Sequence, residues 1–223
     1  MEILLDTANI EQIKKYMGLY EIVGVTTNPT IISREKAEFW PLLEEIKSLI
    51  GEKQLHVQVT ADTWEEMIKE AECIRNRLGK ETYIKVPVNE QGVCAMKHLK
   101  EMGANVTATA VYSVQQAMLA ASVGADYMAP YFNRMNNLNM GSKKVVAEIA
   151  DLYKTHGKST KILAASFKNT EQVLDSLKAG AHAVTVSVDL LTMMVDNAII
   201  RFAVDGFKQD WINLYGDKKI YEL

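Results

Sequence analysis

The strongest constraint in this chain is its alternation. Short runs of β-branched and aromatic residues are separated, repeatedly, by longer runs with helical apolar spacing. Strands are expected near Ile3–Asp6, Gly24–Asn28, Leu55–Thr60, Thr82–Val88, Asn105–Val111, Tyr127–Phe132, Lys161–Ser166 and Ala183–Val188. The clearest helix between them is "TWEEMIKEAECIRNRLG", with Thr63 as N-cap, Glu66 completing a capping box and Gly79 closing it. Uninterrupted β-α alternation implies a parallel sheet with right-handed crossovers. Eight such units in about 200 residues suit a closed (β/α)8 TIM barrel near the lower end of its size range. A doubly wound open sheet is the rival fold. However, "GVTTNP" after the second strand is no dinucleotide fingerprint, and neither G-x-G-x-x-G nor a Walker sequence occurs. The expectation is an α/β barrel, one domain over 1–223, with 196–223 forming an additional C-terminal helical arm.

Composition narrows the class of partner. With 223 residues, 48% hydrophobic and 24% charged, the chain can bury a large core and still carry an ordinary polar surface. A net charge of −3 and the lack of a dense Lys/Arg run argue against a nucleic-acid partner. "MEILLDTANI" lacks the basic and apolar regions of a signal peptide, and no apolar run nears the roughly 20 residues that span a bilayer. Cys73 and Cys94 fall on expected helices and need no disulfide, so a cytoplasmic location with reduced thiols is expected.

Beyond the eighth strand, "DNAIIRFAVDGFKQDWINLYG" continues as a helix with Ile200, Val204, Phe207, Trp211 and Leu214 on one stripe. Such a helix either covers the barrel's own surface or docks on a neighbouring subunit. A helix added to a complete barrel must place its Trp and Phe somewhere.

The polar residues gather at one end of the strands, which is where barrel enzymes build their sites. Asp6 ends the first strand, the second carries Thr26 and Asn28, and the third Gln58 and Thr60. The fifth has Thr107 and Thr109, the sixth ends at Tyr131 with Arg134 just beyond, and the seventh ends at Ser166 followed by Lys168. Taken singly, each has a plain reading: Thr, Ser or Asn at a strand end is more often a cap or turn residue, and Arg134 a solvated loop charge. Lys85, in "TYIKVPV", is different. It alternates with Ile84 and Val86, so it points to the face opposite theirs, and a mid-strand position leaves its stem little route to water. A desolvated lysine loses its proton readily and becomes a nucleophilic amine able to form a Schiff base with a ketone.

The other rim residues suit that chemistry. Tyr131 offers an acid/base, Asp6 a carboxylate for hydroxyl protons, and Gln58, Thr109 and Asn28 groups that orient hydroxyls and a water. Arg134, Lys168 and Ser166 form a cradle for a phosphate. The set points to aldol chemistry on a phosphorylated sugar, with no metal and no other cofactor. His56, His98, His156 and His182 have no metal-ligand spacing, and His56 reads as a core histidine low in the barrel.

The motifs "LDTAN", "GVTTNPTII", "YIKVPV", "ATAVY", "APYFNR" and "LAASFK" closely resemble the transaldolase family across essentially the whole chain. The match is closest to its short members, the fructose-6-phosphate aldolases. The resemblance implies a (β/α)8 barrel with the Schiff-base lysine at Lys85, and assembly as a homo-oligomer, a pentamer or decamer, in which the C-terminal helix reaches a neighbour. It further implies Asp6 as the active-site aspartate, Thr26, Asn28 and Thr109 as substrate-binding positions, and Arg134 with Ser166 as the phosphate pair. Lys168 stands where many transaldolases carry arginine. Transaldolases proper have a glutamate on the third strand, where this chain has Gln58, and a Ser-Pro-Phe sequence on the sixth, where it reads "APYFNR". Both departures lean towards the aldolase branch, with Tyr131 as acid/base.

The implied reaction is reversible cleavage of fructose 6-phosphate to dihydroxyacetone and glyceraldehyde 3-phosphate. The alternatives are transfer of the dihydroxyacetone unit to erythrose 4-phosphate, or a silent sugar-phosphate-binding barrel.

Overall fold

Within each strand, the residues that alternate with the polar ones are sealed from water. Leu5, Val25, Val57, Ile84, Val86, Val106 and Ala108 are all 0% exposed. Strands covered this completely on their outer face belong to a parallel sheet wrapped by helices. The computed structural model describes residues 1–223 and has that architecture: a closed, all-parallel barrel in the order β1 to β8, with β1 pairing β8 from Glu2↔Ala183 to Leu5↔Val186.

The chain runs β1 (Glu2–Asp6), α1 (Ile10–Leu19), β2 (Gly24–Thr26), α2 (Pro29–Arg34), α3 (Phe39–Ile50) and β3 (Gln54–Gln58). It continues through α4 (Trp64–Leu78), β4 (Tyr83–Pro87), α5 (Glu90–Glu101), β5 (Asn105–Val111), α6 (Val114–Ser122) and β6 (Tyr127–Pro130). Then come α7 (Phe132–Asn137), α8 (Ser142–Thr155), β7 (Lys161–Ala164), α9 (Thr170–Lys178) and β8 (Ala183–Val186). Two crossovers, β2 to β3 and β6 to β7, carry two helices each.

The helices that follow the strands are started by the rim residues themselves. Asn9, Asn28, Thr63, Asn89, Ser113 and Asn169 each accept a backbone N–H in the first turn of α1, α2, α4, α5, α6 and α9. Caps of this kind are worth about 1 kcal/mol apiece. At Thr63 the capping box is half formed: its hydroxyl accepts from Glu66 N–H, while Glu66 returns to the hydroxyl and not to the backbone. Gly92, in α5, lies against the end of β4; a Cβ there would sit 1.8 Å from the Pro87 carbonyl oxygen. The helix over the lysine strand can therefore approach only because that residue lacks a side chain.

Inside the barrel, below the rim, Leu4, Tyr127, Leu163 and Ala183 form a packed layer with Val23 and Tyr83 against it. His56 stacks on Tyr83 at 4.5 Å between ring centroids, and Tyr127 meets both edge-on at 5.4 Å. The interior is packed here, and a cavity opens at its C-terminal mouth.

Two compact units divide the chain, Met1–Val188 and Asp189–Leu223. The first is the barrel. The second contains most of α10 (Val188–Val195), then α11 (Ala198–Tyr215) and a final 3-10 turn at Ile220–Glu222. Helix α11 buries none of its residues, and four of the five stripe positions are open to solvent, Ile200 at 52%, Val204 at 54%, Phe207 at 72% and Leu214 at 74%, with Trp211 half-buried. No helix is long and apolar enough to cross a membrane.

Candidate active site

Alternation along β4 sends Ile84 and Val86 outward and Lys85 into the barrel, where it is 6% exposed. Its Nζ donates a 2.6 Å hydrogen bond to the carbonyl oxygen of Thr27, the residue after β2. That carbonyl is well fixed, since Thr27 is itself tied to the His56 carbonyl oxygen by both its N–H and its hydroxyl at 3.0 Å. Burial pushes the Lys85 ammonium below the ordinary lysine value, and the charge of Asp6 only partly opposes this.

Asp6, the last residue of β1, faces the same cavity of about 250 Å³. Its Oδ1 accepts a 2.8 Å hydrogen bond from Thr26, whose hydroxyl also lies 2.6 Å from that of Thr185 on β8. Burial drives the Asp6 carboxyl up, while Lys85, the Thr26 hydrogen bond and Arg34 pull it down. The pair thus shares one dry pocket in which each charge is costly alone and favoured by the other.

Across the mouth, Thr109 at the end of β5 holds the Tyr131 hydroxyl at 3.0 Å. β5 bulges just beyond Thr109: its register against β6 shifts between Ala108 and Val111, and Ala110 takes a positive φ of 56°. Tyr131 keeps strand-like pairing one residue past β6, through its N–H to Val111 O and a bridge to Ala165, before the chain turns into α7. Burial raises the Tyr131 phenol above its ordinary value, with Thr109 and Arg134 opposing in part, so it carries its proton at neutral pH.

The residues expected to take an anion line the same cavity. Arg134, on α7, has its guanidinium carbon 4.8 Å from the centre of the Tyr131 ring and donates to the Tyr112 hydroxyl at 3.3 Å. Ser166 follows β7 with a positive φ of 64°, a conformation that costs a non-glycine residue about 1–3 kcal/mol and is kept where surrounding structure demands it. The demand is visible: the carbonyl of Ser166 accepts from Asn133 N–H at 2.8 Å and that of Ala165 from Phe132 N–H at 2.9 Å, locking the two rim loops together. Lys168 is exposed at the edge. Asn28 also lines the cavity; its Oδ1 caps α2 by accepting from Ile31 N–H at 2.9 Å, which leaves its amide N–H groups for a ligand.

Nine of the ten expected residues therefore meet at one cavity, namely Lys85, Tyr131, Asp6, Thr109, Thr26, Asn28, Arg134, Ser166 and Lys168. Gln58 does not. It is the register partner of Lys85 at the end of β3, yet it lines a neighbouring cleft with Pro29, Trp40 and Glu70, and its Oε1 is buried without a hydrogen-bond partner. Pro29, two residues beyond the Thr27 carbonyl that holds Lys85, lines that neighbouring cleft with Gln58.

Four contributors had no signal in the residue pattern. The Thr27 carbonyl is a backbone group, Thr185 and Ser187 sit in and just after an apolar eighth strand, and Arg34 ends the short helix α2. Among all His, Cys, Asp and Glu side chains, no group of three is placed to hold a metal ion.

Known proteins resemble this chain at two levels. The barrel superposes on a lactate oxidase of Pediococcus acidilactici with a TM-score of 0.59 at 13% identity, covering 83% of this chain and 62% of that one. A mandelate oxidase variant gives 0.60 at 12% identity, covering 96% and 73%. At such identities the likeness is one of fold alone. A Streptococcus pneumoniae protein named "Probable fructose-6-phosphate aldolase" is 43% identical over 222 residues, 99% of this chain and 100% of that one. Residues 3–216 match the family model described as Transaldolase/Fructose-6-phosphate aldolase, and with that match and that relative the chain belongs to the transaldolase/fructose-6-phosphate aldolase family.

Proposed function

We propose that the protein is a class I aldolase that reversibly cleaves fructose 6-phosphate into dihydroxyacetone and glyceraldehyde 3-phosphate. The observation that carries this reading is the dry amine of Lys85, sharing a cavity with a buried carboxyl and a protonated phenol. Lys85 Nζ attacks the ketone carbon, and loss of water leaves an iminium that draws electrons from the neighbouring C–C bond. As that bond breaks, Asp6 receives the hydroxyl proton of the departing aldehyde carbon. Tyr131 protonates the resulting enamine, and a water held by Thr109 and Tyr131 hydrolyses the adduct to free dihydroxyacetone. Thr26 and Asn28 orient the hydroxyls of the three-carbon unit, while Arg134, Lys168 and Ser166 take the phosphate as charge-assisted and neutral hydrogen bonds. The catalytic set omits Gln58, which lies outside the cavity.

Borohydride reduction with dihydroxyacetone, followed by mass mapping, tests the assignment: the expected result is one reduced three-carbon adduct on Lys85. A chain that binds sugar phosphates without chemistry gains no adduct. Cleavage assayed with and without erythrose 4-phosphate separates the aldolase from a transaldolase, which turns over only with the acceptor.

We also place the protein in the cytoplasm, in keeping with its two free thiols, Cys73 and Cys94. The open apolar stripe of α11 supports a homo-oligomer, a pentamer or decamer, in which α11 meets another copy. Light scattering on the eluted protein measures this, and a monomer would refute it.

A further inference from the structure

Below Lys85 the barrel interior carries an unbroken line of hydrogen bonds that the proposed reaction does not use. Thr107 Oγ1 lies 2.9 Å from His56 Nδ1, and His56 Nε2 lies 3.1 Å from Gln54 Oε1. Gln54 Nε2 lies 3.2 Å from the Tyr127 hydroxyl, which lies 2.6 Å from Glu2 Oε2. One end of the line, Thr107, borders the catalytic cavity. The other, Glu2, is at the N-terminal end of β1 and is ion-paired with Lys161 at 2.5 Å.

The ends of the line fix the direction of every proton in it. Burial opposes ionisation of Glu2, but hydrogen bonds from Lys161 and Tyr127, with the Lys161 charge, outweigh it and hold the carboxyl below its usual value. An ionised carboxylate only accepts, so Tyr127 gives it its single proton. The Tyr127 oxygen can then only receive, which turns the amide nitrogen of Gln54 towards it and the amide oxygen towards His56. That oxygen requires a proton on His56 Nε2. The ring is 0% exposed, and burial together with the nearby Lys85 charge keeps it neutral, so Nδ1 is bare. Thr107 must therefore donate to Nδ1. Its hydroxyl proton points down the barrel, and its oxygen presents only lone pairs to the cavity.

Thr107 is also the register partner of Lys85 on the adjoining strand, so both side chains leave the same face at the same height. When Nζ bonds the ketone carbon, the carbonyl oxygen leaves as water with one proton from the amine and one from an acid. The nitrogen keeps one N–H, now on a planar cation. We propose that the Glu2–Tyr127–Gln54–His56 line locks Thr107 Oγ1 as an acceptor for that remaining N–H, with Thr107 touching the covalent intermediate and His56 as its positioning residue. A freely rotating hydroxyl must first turn its lone pair towards the cation, whereas one already committed to His56 offers a fixed dipole at no cost of reorganisation. The inference rests on Lys85 being the Schiff-base nucleophile, and it requires Nζ to leave the Thr27 carbonyl, its acceptor in the free protein, as it bonds the ketone carbon.

Two measurements test it. In the wild-type protein, nitrogen-15 NMR of the histidine rings is expected to show His56 neutral, with its proton on Nε2; a protonated ring or an Nδ1–H tautomer would reverse Thr107 and overturn the proposal. In borohydride trapping with dihydroxyacetone, Thr107→Val is expected to slow adduct formation about 10- to 100-fold, the range for a hydrogen bond to a charged group. The accompanying loss should fall on kcat with KM little changed, and Thr107→Ser should restore most of the rate. An unchanged rate in Thr107→Val, or no rescue by Thr107→Ser, refutes the role while leaving the nucleophile in place. Absence of any Lys85 adduct in the wild type removes both readings together. Should Thr107→Val not fold, the His56 tautomer in the wild type decides.

Discussion

His56 carries a stability consequence that can be worked out from its surroundings. Its ring is wholly enclosed, stacked on Tyr83 and bonded at both nitrogens, and burial, with Lys85 adding to it, places its folded-state value well below 6.5. In the unfolded chain the same ring titrates near 6.5. As pH falls through that value, the unfolded state takes up a proton that the folded state refuses, so stability falls with pH at up to about 1.4 kcal/mol per unit. Integrated from pH 7.5 to pH 5.0, the loss is about 2 kcal/mol. His56→Phe keeps a ring against Tyr83 but removes the proton sink. The variant should be less stable by about 1–3 kcal/mol at pH 7.5, because Gln54 and Thr107 lose their partner, and the gap should close by about 2 kcal/mol at pH 5.0. Urea unfolding followed by tryptophan fluorescence, at one fixed protein concentration and four pH values, measures the difference directly. His182, whose value is also lowered by burial, and Asp6, raised by burial, titrate alike in both proteins and cancel. A wild-type minus variant gap that is constant across this pH range would show that His56 is not held neutral, and the reasoning would fail.

The catalytic assignments give three more expectations. Lys85→Ala abolishes both turnover and borohydride labelling, as read by mass spectrometry. Tyr131→Phe lowers cleavage about 10²- to 10⁴-fold, the usual contribution of a general acid/base, yet still forms the trappable iminium; undiminished cleavage would remove Tyr131 from its role. Arg134→Ala raises KM for fructose 6-phosphate about 10- to 100-fold while changing KM for unphosphorylated ketoses much less, since only the phosphate loses a charge-assisted partner.

Much of the barrel could be read from alternation alone, and β5, Asn105–Val111, has the bounds expected from the residues. At the rim, strand readings ran long, for a shared physical reason. Alternation carries a strand on to Asn28, Phe132 and Ser166, but Asn28 caps α2, Phe132 begins α7, and Ser166 takes a left-handed backbone that no strand can continue. Polar residues there answer to caps, turns and the cavity together, and local propensity does not separate those demands. Lys85 was legible because one charge in an apolar run has few places to go. Gln58 has the right alternation, yet it lines the neighbouring cleft with Pro29, Trp40 and Glu70, a tertiary placement with no local trace. The Thr27 carbonyl was invisible for a simpler reason: every residue has one.

The two buried ionisable groups at the centre of the site explain each other. Separately, an enclosed ammonium or carboxylate would cost several kcal/mol, and removing one partner of such a pair leaves the other uncompensated. Together they have a second option. Burial pushes Asp6 up and Lys85 down, which brings a free amine beside a carboxylic acid closer in energy to the ion pair. That neutral state holds the nucleophile that ketone attack needs and the one additional proton that turns the departing carbonyl oxygen into water. Once the iminium forms, its positive charge stays on the nitrogen, and the carboxylate left on Asp6 faces it. In the proposed reaction the site passes from a neutral pair to a charged pair without importing a proton: dryness favours the free amine before attack, and the carboxylate facing the iminium offsets part of the cost of its charge afterwards.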